Sequence, residues 1–258
     1  ESVPLPVKRP HFIFGKNDSV GVLNNLVEEV KHNPLRGALG IGHTRWATHG
    51  KPSTDNCHPH QDCSQDIFVV HNGIIENFQE LRHDLQKSGH RFRSQTDTEV
   101  IAHLVEEELR SGAPDLPSAV RRALKKAHGA YALGIVSRRE PHLLIAARQG
   151  SPLVVGLGKK EKFIASDPSA FLHKTRDIVY LEDGQLAVLN SKHSKILDQN
   201  GKDCPMHVKT VSGESEAASK GKYEKFMAKE IHEQPQIIQG TLDRRASSKD
   251  GKILLEDV

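Results

Sequence analysis

Apolar positions in the first half of the chain mostly recur three and four residues apart, the spacing of one buried helix face. Val22, Leu23, Leu26, Val27 and Val30 predict a helix ending before Pro34. Phe78, Leu81 and Leu85 mark a second, stopped near Gly89. Val100, Ile101, Leu104, Val105 and Leu109 mark a third, with Gly112 and Pro114 beyond it, and a fourth opens near Pro117 to bury Val120 and Leu124. After Gly129 the apolar residues come in short runs instead, which predict strands over 130–137, 143–147, 153–156, 163–165, 178–181 and 185–189, with a helical piece at 168–172. Asp183-Gly184 reads as a hairpin turn between the last two runs, and Asn200-Gly201 as a later one. Earlier strands are expected at 11–14, followed by a turn over 15–18, and at 38–44 and 66–70. Helices grouped early and strands grouped late favour α+β layers.

Both ends read differently from this body. Residues 1–10 carry Pro4, Pro6 and Pro10 and form an irregular lead-in. Residues 212–222 are small and polar, as a linker should be, and a helix is expected over 223–233, interrupted at Pro235. The full 258 residues can bury a sizeable core. Their 36 basic and 33 acidic side chains leave a net charge of +3, with no basic stripe interleaved with aromatics, so no nucleic-acid partner is expected. No apolar run reaches membrane-spanning length, no signal-peptide pattern opens the chain, and a cytoplasmic location is expected.

Cys57, Cys63 and Cys204 are odd in number and lack a disulfide-framework spacing, which fits a reducing compartment. Residues 57–63 place four soft or borderline metal donors within seven positions, but adjacent Cys57 and His58 would point apart and no second cluster closes a tetrahedral site. A structural His-Pro-His turn is the preferred reading, and neither a metal nor any other cofactor is expected. His83, His90, His103 and His128 read as solvated or capping histidines. Glycines around 150–158 lack the lysine and serine of a phosphate loop.

Three stretches carry chemistry. Residues 42–50 put Arg45, Trp46, Thr48 and two histidines between two glycines. The Arg45 fork can grip a carboxylate bidentately, with Thr48 and His49 as short donors beside it. Asn72 and Gly73 follow the apolar run 67–70, so an Asn-Gly turn is expected at the mouth of a buried strand, presenting an amide and a bare N–H to an oxyanion. Thr96 and Glu99 suggest a capping box, which leaves Asp97 at a helix start and able to take an ammonium group.

Together with residues 41–53, 58–60, 70–77, 96–105, 148–158 and 229–235, these stretches resemble the glutaminase domain of the class II amidotransferases. The run 229–235 is most similar to the fructose-6-phosphate branch. The resemblance implies a four-layer αββα sandwich of the N-terminal-nucleophile hydrolase type, incomplete at its N-terminus. It implies a glutaminase domain over 1–211, a linker over 212–222, and the start of a sugar-isomerase half over 223–258. It makes Asn72 and Gly73 the oxyanion hole, assigns Arg45, Thr48 and His49 to the glutamine carboxylate and Asp97 to its ammonium, and makes Trp46 the gate of an ammonia tunnel. The implied substrates are glutamine and, in the absent half, fructose 6-phosphate; a homodimer is implied for the whole enzyme. The family's nucleophile is an N-terminal cysteine, whereas Glu1 stands first here and none of the three cysteines matches that position. Truncation upstream is the expected explanation, and the fragment is expected to be inactive alone. Another class II amidotransferase, or a non-catalytic glutamine-binding domain, are the alternatives.

Overall fold

The computed structural model describes residues 23–34, 37–45, 49–211 and 221–245. The chain divides into two compact units, 1–211 and 212–258. The strand expected at 11–14, its turn at 15–18 and most of the expected linker lie outside the described residues.

The first unit opens with helix α1 (Leu23–His32) and continues through short strand β1 (His60–Gln61) into the long strand β2 (Ile67–Ile75). Helices α2 (Phe78–Lys87), α3 (Glu99–Arg110) and α4 (Leu116–Leu124) follow. Then come β3 (Gly129–Ser137), β4 (Leu144–Gln149), β5 (Val154–Leu157), β6 (Lys162–Ala165), β7 (Asp177–Tyr180), β8 (Leu186–Leu189), β9 (Ser194–Leu197), β10 (Asp203–Cys204) and β11 (Lys209–Thr210). Among the described residues these make a seven-stranded sheet in the order β1-β2-β3-β4-β8-β9-β10 and a four-stranded sheet in the order β11-β7-β5-β6, with every strand pair antiparallel.

Alternation along the strands builds the layers. Ile67, Val69, Leu133, Ile135 and Ile145 point from the large sheet to the helices, where they meet Val100, Ile101, Leu104 and Val120. Phe68, Ala132, Ala146 and Ala187 point the other way and pack against Val155, Val179 and Leu181 of the second sheet region. Each fully buried Val, Leu or Ile side chain among them contributes about 1.5–3 kcal/mol. Phe171, in a turn after the short 3-10 helix Pro168–Ala170, covers the outer face of the small sheet with Val154 and Ile178. The order helices, sheet, sheet gives three consecutive layers of the expected four-layer αββα sandwich. Helix α4 is capped by Asp115, whose Oδ1 accepts from Ser118 N at 2.8 Å, and Pro117 sits in its first turn.

Four local expectations need correction. Residues 38–44 form no strand; Leu39 and Ile41 are instead held by side-chain packing against the inter-sheet core. Asp183-Gly184 does turn, with Gly184 at φ +78°, but β7 belongs to the small sheet and β8 to the large one. That turn therefore carries the chain between sheets rather than closing a hairpin. Asn72 and Gly73 lie inside β2, opposite Ala132 and Tyr131 of β3, so no turn occurs there. In the second unit, helix α5 (Phe226–Arg245) runs through Pro235, which forfeits one backbone bond without ending the helix.

Candidate active site

The phase of the β2–β3 ladder positions the site. Glu76 N donates to His128 O at 2.9 Å just past the pair Ile75–Gly129. In an antiparallel ladder hydrogen-bonded pairs alternate, so the even-numbered residues of β2 exchange backbone bonds with β3. His71, Gly73 and Ile75 then turn their N–H groups toward the opposite edge. Strand β1 covers that edge only opposite Phe68 and Val69. Ile75 N finds Asp97 Oδ2 there, at 2.9 Å.

Gly73 is required by a close approach. At φ +130°, a Cβ on it would lie 2.1 Å from Ala130 O. Next to it, the Asn72 amide is clamped at both ends: His43 Nε2 donates to Oδ1 at 2.6 Å, and Nδ2 donates to Ser166 Oγ at 2.7 Å. His43, Asn72 and Ser166 line a cavity of about 690 Å³ that extends along residues 38–44 and β6, whereas Gly73, Arg45 and Asp97 do not border it. Burial, only partly offset by the Asn72 contact, lowers the His43 pKa and keeps the ring neutral at pH 7.

Below the sheet edge, residues 94–98 fold under the start of α3. Thr98 Oγ1 bridges His58 Nε2 at 3.1 Å and His71 Nδ1 at 3.0 Å, while Thr96 Oγ1 meets His60 Nε2 at 3.0 Å. Burial, reinforced by the neighbouring His43, His60 and His71, pushes His58 far below the ordinary histidine range. His71 is also lowered by burial, against the pull of Asp97, whose Oδ2 lies 4.0 Å from Nδ1. Asp97 is only 4% exposed. A carboxylate so placed has one backbone donor and a neutral ring beside it, and suits a cationic ligand group.

The expected capping box takes another form. Glu99 reaches back past Thr96, and its carboxylate accepts from Arg93 N at 2.8 Å, Ser94 N at 2.7 Å and Ser94 Oγ at 2.6 Å. Thr96 N instead donates to Ser94 Oγ at 3.3 Å. Burial opposes ionisation of Glu99, but the nearby His103 ring and the Ser94 and Arg93 donors overcome it and hold the carboxyl at about 2, against 4.5 ordinarily. A depressed carboxyl contributes stability that is present above its unfolded pKa and lost as pH falls through its folded one. Acid unfolding between pH 4.5 and 2 should therefore depend on this side chain. Glu99→Gln is expected to cost about 2–3 kcal/mol at neutral pH. It should also flatten the acid limb of a plot of Tm against pH; a variant with the same limb as the parent would exclude this role.

The loop carrying Arg45 closes against the same region. Arg45 Nη2 donates to Gly50 O at 2.9 Å and to His49 O. These bonds engage one nitrogen of the guanidinium fork. Asn56 ties the loop to the 94–98 segment by donating to Lys51 O at 2.9 Å and accepting from Gln95 N at 2.8 Å. His49 lies edge-on against Phe78, with ring centroids 4.9 Å apart. Trp46 and Thr48 fall outside the described residues. The structure thus gathers Asn72 and Gly73 on one strand, with Asp97 bound to the end of that strand, and ties the Arg45 loop to the segment containing Asp97.

Sequence reasoning missed several contributors. His43 lies within the stretch singled out, yet only the fold shows that it holds Asn72. Thr98 lies within the stretch 96–105 but was given no role there, and Ser166 gave no signal, standing 94 residues from its partner. Of the run 57–63, only Cys63 joins a further cluster of donors, with His90, His103 and Glu106. His83 and His128 are exposed, but His90 and His103 are buried, contrary to the solvated or capping role expected of them, because the β1–β2 connection packs over them.

A two-sheet α+β sandwich with an amide and a glycine N–H at one strand edge is an arrangement suited to amide hydrolysis. The family model described as a glutamine amidotransferase domain matches residues 43–173, and the chain belongs to that family. A glutamine–fructose-6-phosphate aminotransferase (isomerizing) of Pseudomonas putida is 49% identical over 245 residues, covering 95% of this chain and 40% of that protein. The protein of the same name from Thermus thermophilus is 47% identical over 235 residues, covering 91% and 38%. The chain spans about two fifths of the length of these curated relatives. Among solved structures, the glutamine phosphoribosylpyrophosphate amidotransferase of B. subtilis, complexed with ADP and GMP, superposes with a TM-score of 0.57 at 26% identity, covering 67% of this chain and 38% of that one. A structure described as the allosteric regulatory enzyme of purine biosynthesis gives 0.59 at 27%, covering 69% and 39%. The fold is the α+β sandwich of the N-terminal-nucleophile class.

Proposed function

We propose that this chain is the glutamine-hydrolysing part of a glutamine–fructose-6-phosphate aminotransferase, releasing ammonia from glutamine to aminate fructose 6-phosphate in a separate isomerase half. The observation that carries the reading is the clamped Asn72 amide next to Gly73 on β2, whose end is bound by Asp97, in a chain 49% identical to a relative of that name. The identity to the phosphoribosylpyrophosphate enzyme, 26%, is much lower, which favours the sugar-phosphate branch.

In this reading the glutamine carboxylate lies on Arg45, with Thr48 and His49 beside it, and its ammonium on Asp97. A thiolate adds to the side-chain amide carbon, and the oxygen becomes an oxyanion held by Asn72 Nδ2 and Gly73 N–H. The carbon–nitrogen bond then breaks as the nitrogen takes a proton and leaves as ammonia; water hydrolyses the resulting thioester to glutamate. The family resemblance assigns the thiol to an N-terminal cysteine. Cys57, Cys63 and Cys204 do not line the cavity beside Asn72.

Residues 1–211 are the glutaminase domain in this account, 212–222 the linker, and 223–258 the entry to the isomerase half. Trp46 gates ammonia transfer, the whole enzyme is a homodimer, and it acts in the cytoplasm. No helix among the described residues is long and apolar enough to cross a membrane.

The test uses the natural polypeptide that contains this chain. Arg45→Lys keeps the charge but loses the fork, and should raise the glutamine KM roughly 10–100-fold with a smaller change in kcat. Trp46→Ala, assayed alongside, should still hydrolyse glutamine while more of the ammonia escapes unused. An unchanged KM in the first variant and unchanged coupling in the second would remove these two roles.

A further inference from the structure

Away from the cavity, four side chains from three segments converge. Cys63 lies in the connection between β1 and β2, His90 just beyond the end of α2, and His103 and Glu106 one turn apart on α3. Cys63 Sγ is 3.8 Å from His90 Nδ1 and 3.7 Å from His103 Nδ1. Glu106 Oε2 is 3.0 Å and 3.4 Å from the same two nitrogens. All four donor atoms lie within 4.8 Å of one another. In a tetrahedral zinc site with ordinary bond lengths, sulfur–nitrogen edges are about 3.6 Å and nitrogen–oxygen edges about 3.3 Å. The four edges given fall close to both, and the remaining two are at most 4.8 Å.

The outer partners fit the same reading. Each histidine turns Nδ1 inward and Nε2 toward a carboxylate: His90 Nε2 lies 3.0 Å from Glu107 Oε2, and His103 Nε2 lies 3.6 Å from Glu99 Oε1. Metal-bound histidines usually donate their second N–H to a carboxylate, as His90 is placed to do toward Glu107, whereas His103 Nε2 lies beyond hydrogen-bond distance of Glu99. Arg91 N donates to Cys63 Sγ at 3.3 Å, as a backbone donor does to a coordinated sulfur. His90 Nδ1 lies 3.0 Å from Glu106 Oε2, so the ring nitrogen and the carboxylate oxygen stand close enough to share one ion. The three inner residues are buried while Cys63 is exposed, which gives an ion a way in.

We propose that Cys63, His90, His103 and Glu106 form a zinc site that clips the β1–β2 connection to α3. One thiolate, two imidazoles and one carboxylate suit zinc, whereas calcium and magnesium favour all-oxygen shells. Four protein ligands complete a tetrahedron, the mark of a structural rather than a catalytic ion. Zinc binds the thiolate, so the Cys63 thiol proton leaves to solvent as the ion binds. Glu99 links the clip to the active site, since it touches His103 on one side and shapes the loop before Asp97 on the other.

The natural polypeptide, loaded with zinc and dialysed against metal-free buffer, should retain one zinc per chain by elemental analysis. Its cobalt(II) form should show the intense visible bands of a tetrahedral ion and a thiolate charge-transfer band that Cys63→Ser abolishes. Glu107→Gln, which leaves all four ligands in place, should weaken zinc affinity about 10–100-fold. Cys57→Ser should change nothing. Retention well below one zinc per chain, a six-coordinate cobalt spectrum, or a charge-transfer band that survives Cys63→Ser would each overturn the proposal, whatever the glutaminase activity.

Discussion

Asn72→Ala in the complete enzyme should lower the turnover of glutamine hydrolysis by about 10²–10³-fold, the usual cost of one oxyanion-hole donor. The glutamine KM should change little, because the amide serves charge that develops only in the transition state. The substitution also frees His43 Nε2 and Ser166 Oγ, both of which bond to Asn72. Both groups border a cavity large enough to admit water, so the fold should survive. Steady-state kinetics of glutamate formation decides the matter. A rise in KM equal to the fall in kcat would place Asn72 in ground-state binding instead.

Gly73→Ala should have the largest effect on the fold. The new Cβ would meet the backbone oxygen of Ala130 at 2.1 Å, and neither strand can move without opening the ladder. We expect a loss of about 3 kcal/mol or more, together with the glutaminase activity. Gly89→Ala is the matched control: Gly89 also has a positive φ, +92°, but nothing lies within 4 Å of its would-be Cβ. It should cost only about 1–2 kcal/mol. Equal Tm losses for the two variants would show that backbone strain, rather than the close approach to β3, explains Gly73.

The same glycine shows how far sequence patterns reach. An Asn-Gly pair after an apolar run is a strong turn signal, yet here the glycine serves a continuous strand that another backbone crowds. Periodicity identifies a run but not its partner. The strands from β3 to β8 were legible as runs, whereas the assignment of β7 and β8 to different sheets was not, because each run is apolar whichever sheet it joins. Pro235 illustrates the opposite limit, since one lost hydrogen bond cannot outweigh the turns on either side.

For the site, legibility followed local density. Arg45, Asn72, Gly73 and Asp97 sit in compact motifs, and the fold ties their segments together through Asn56 and the Ile75–Asp97 bond. The zinc cluster could not be read in this way. Its donors come from positions 63, 90, 103 and 106, and a search confined to 57–63 finds only one of them. The His103–Glu106 spacing on one helix face was the available hint, and it becomes meaningful only once α3 packs beneath the β1–β2 connection.

The most direct measurement of the central claim follows the amide nitrogen. Glutamine labelled with ¹⁵N in its side chain, supplied with fructose 6-phosphate to the natural polypeptide containing this chain, should place the label in glucosamine 6-phosphate. With Asn72→Ala, label transfer should fall with hydrolysis. Labelled glutamine recovered intact from the unaltered enzyme would contradict the account, and labelled ammonia with no labelled amino sugar would restrict it to hydrolysis alone.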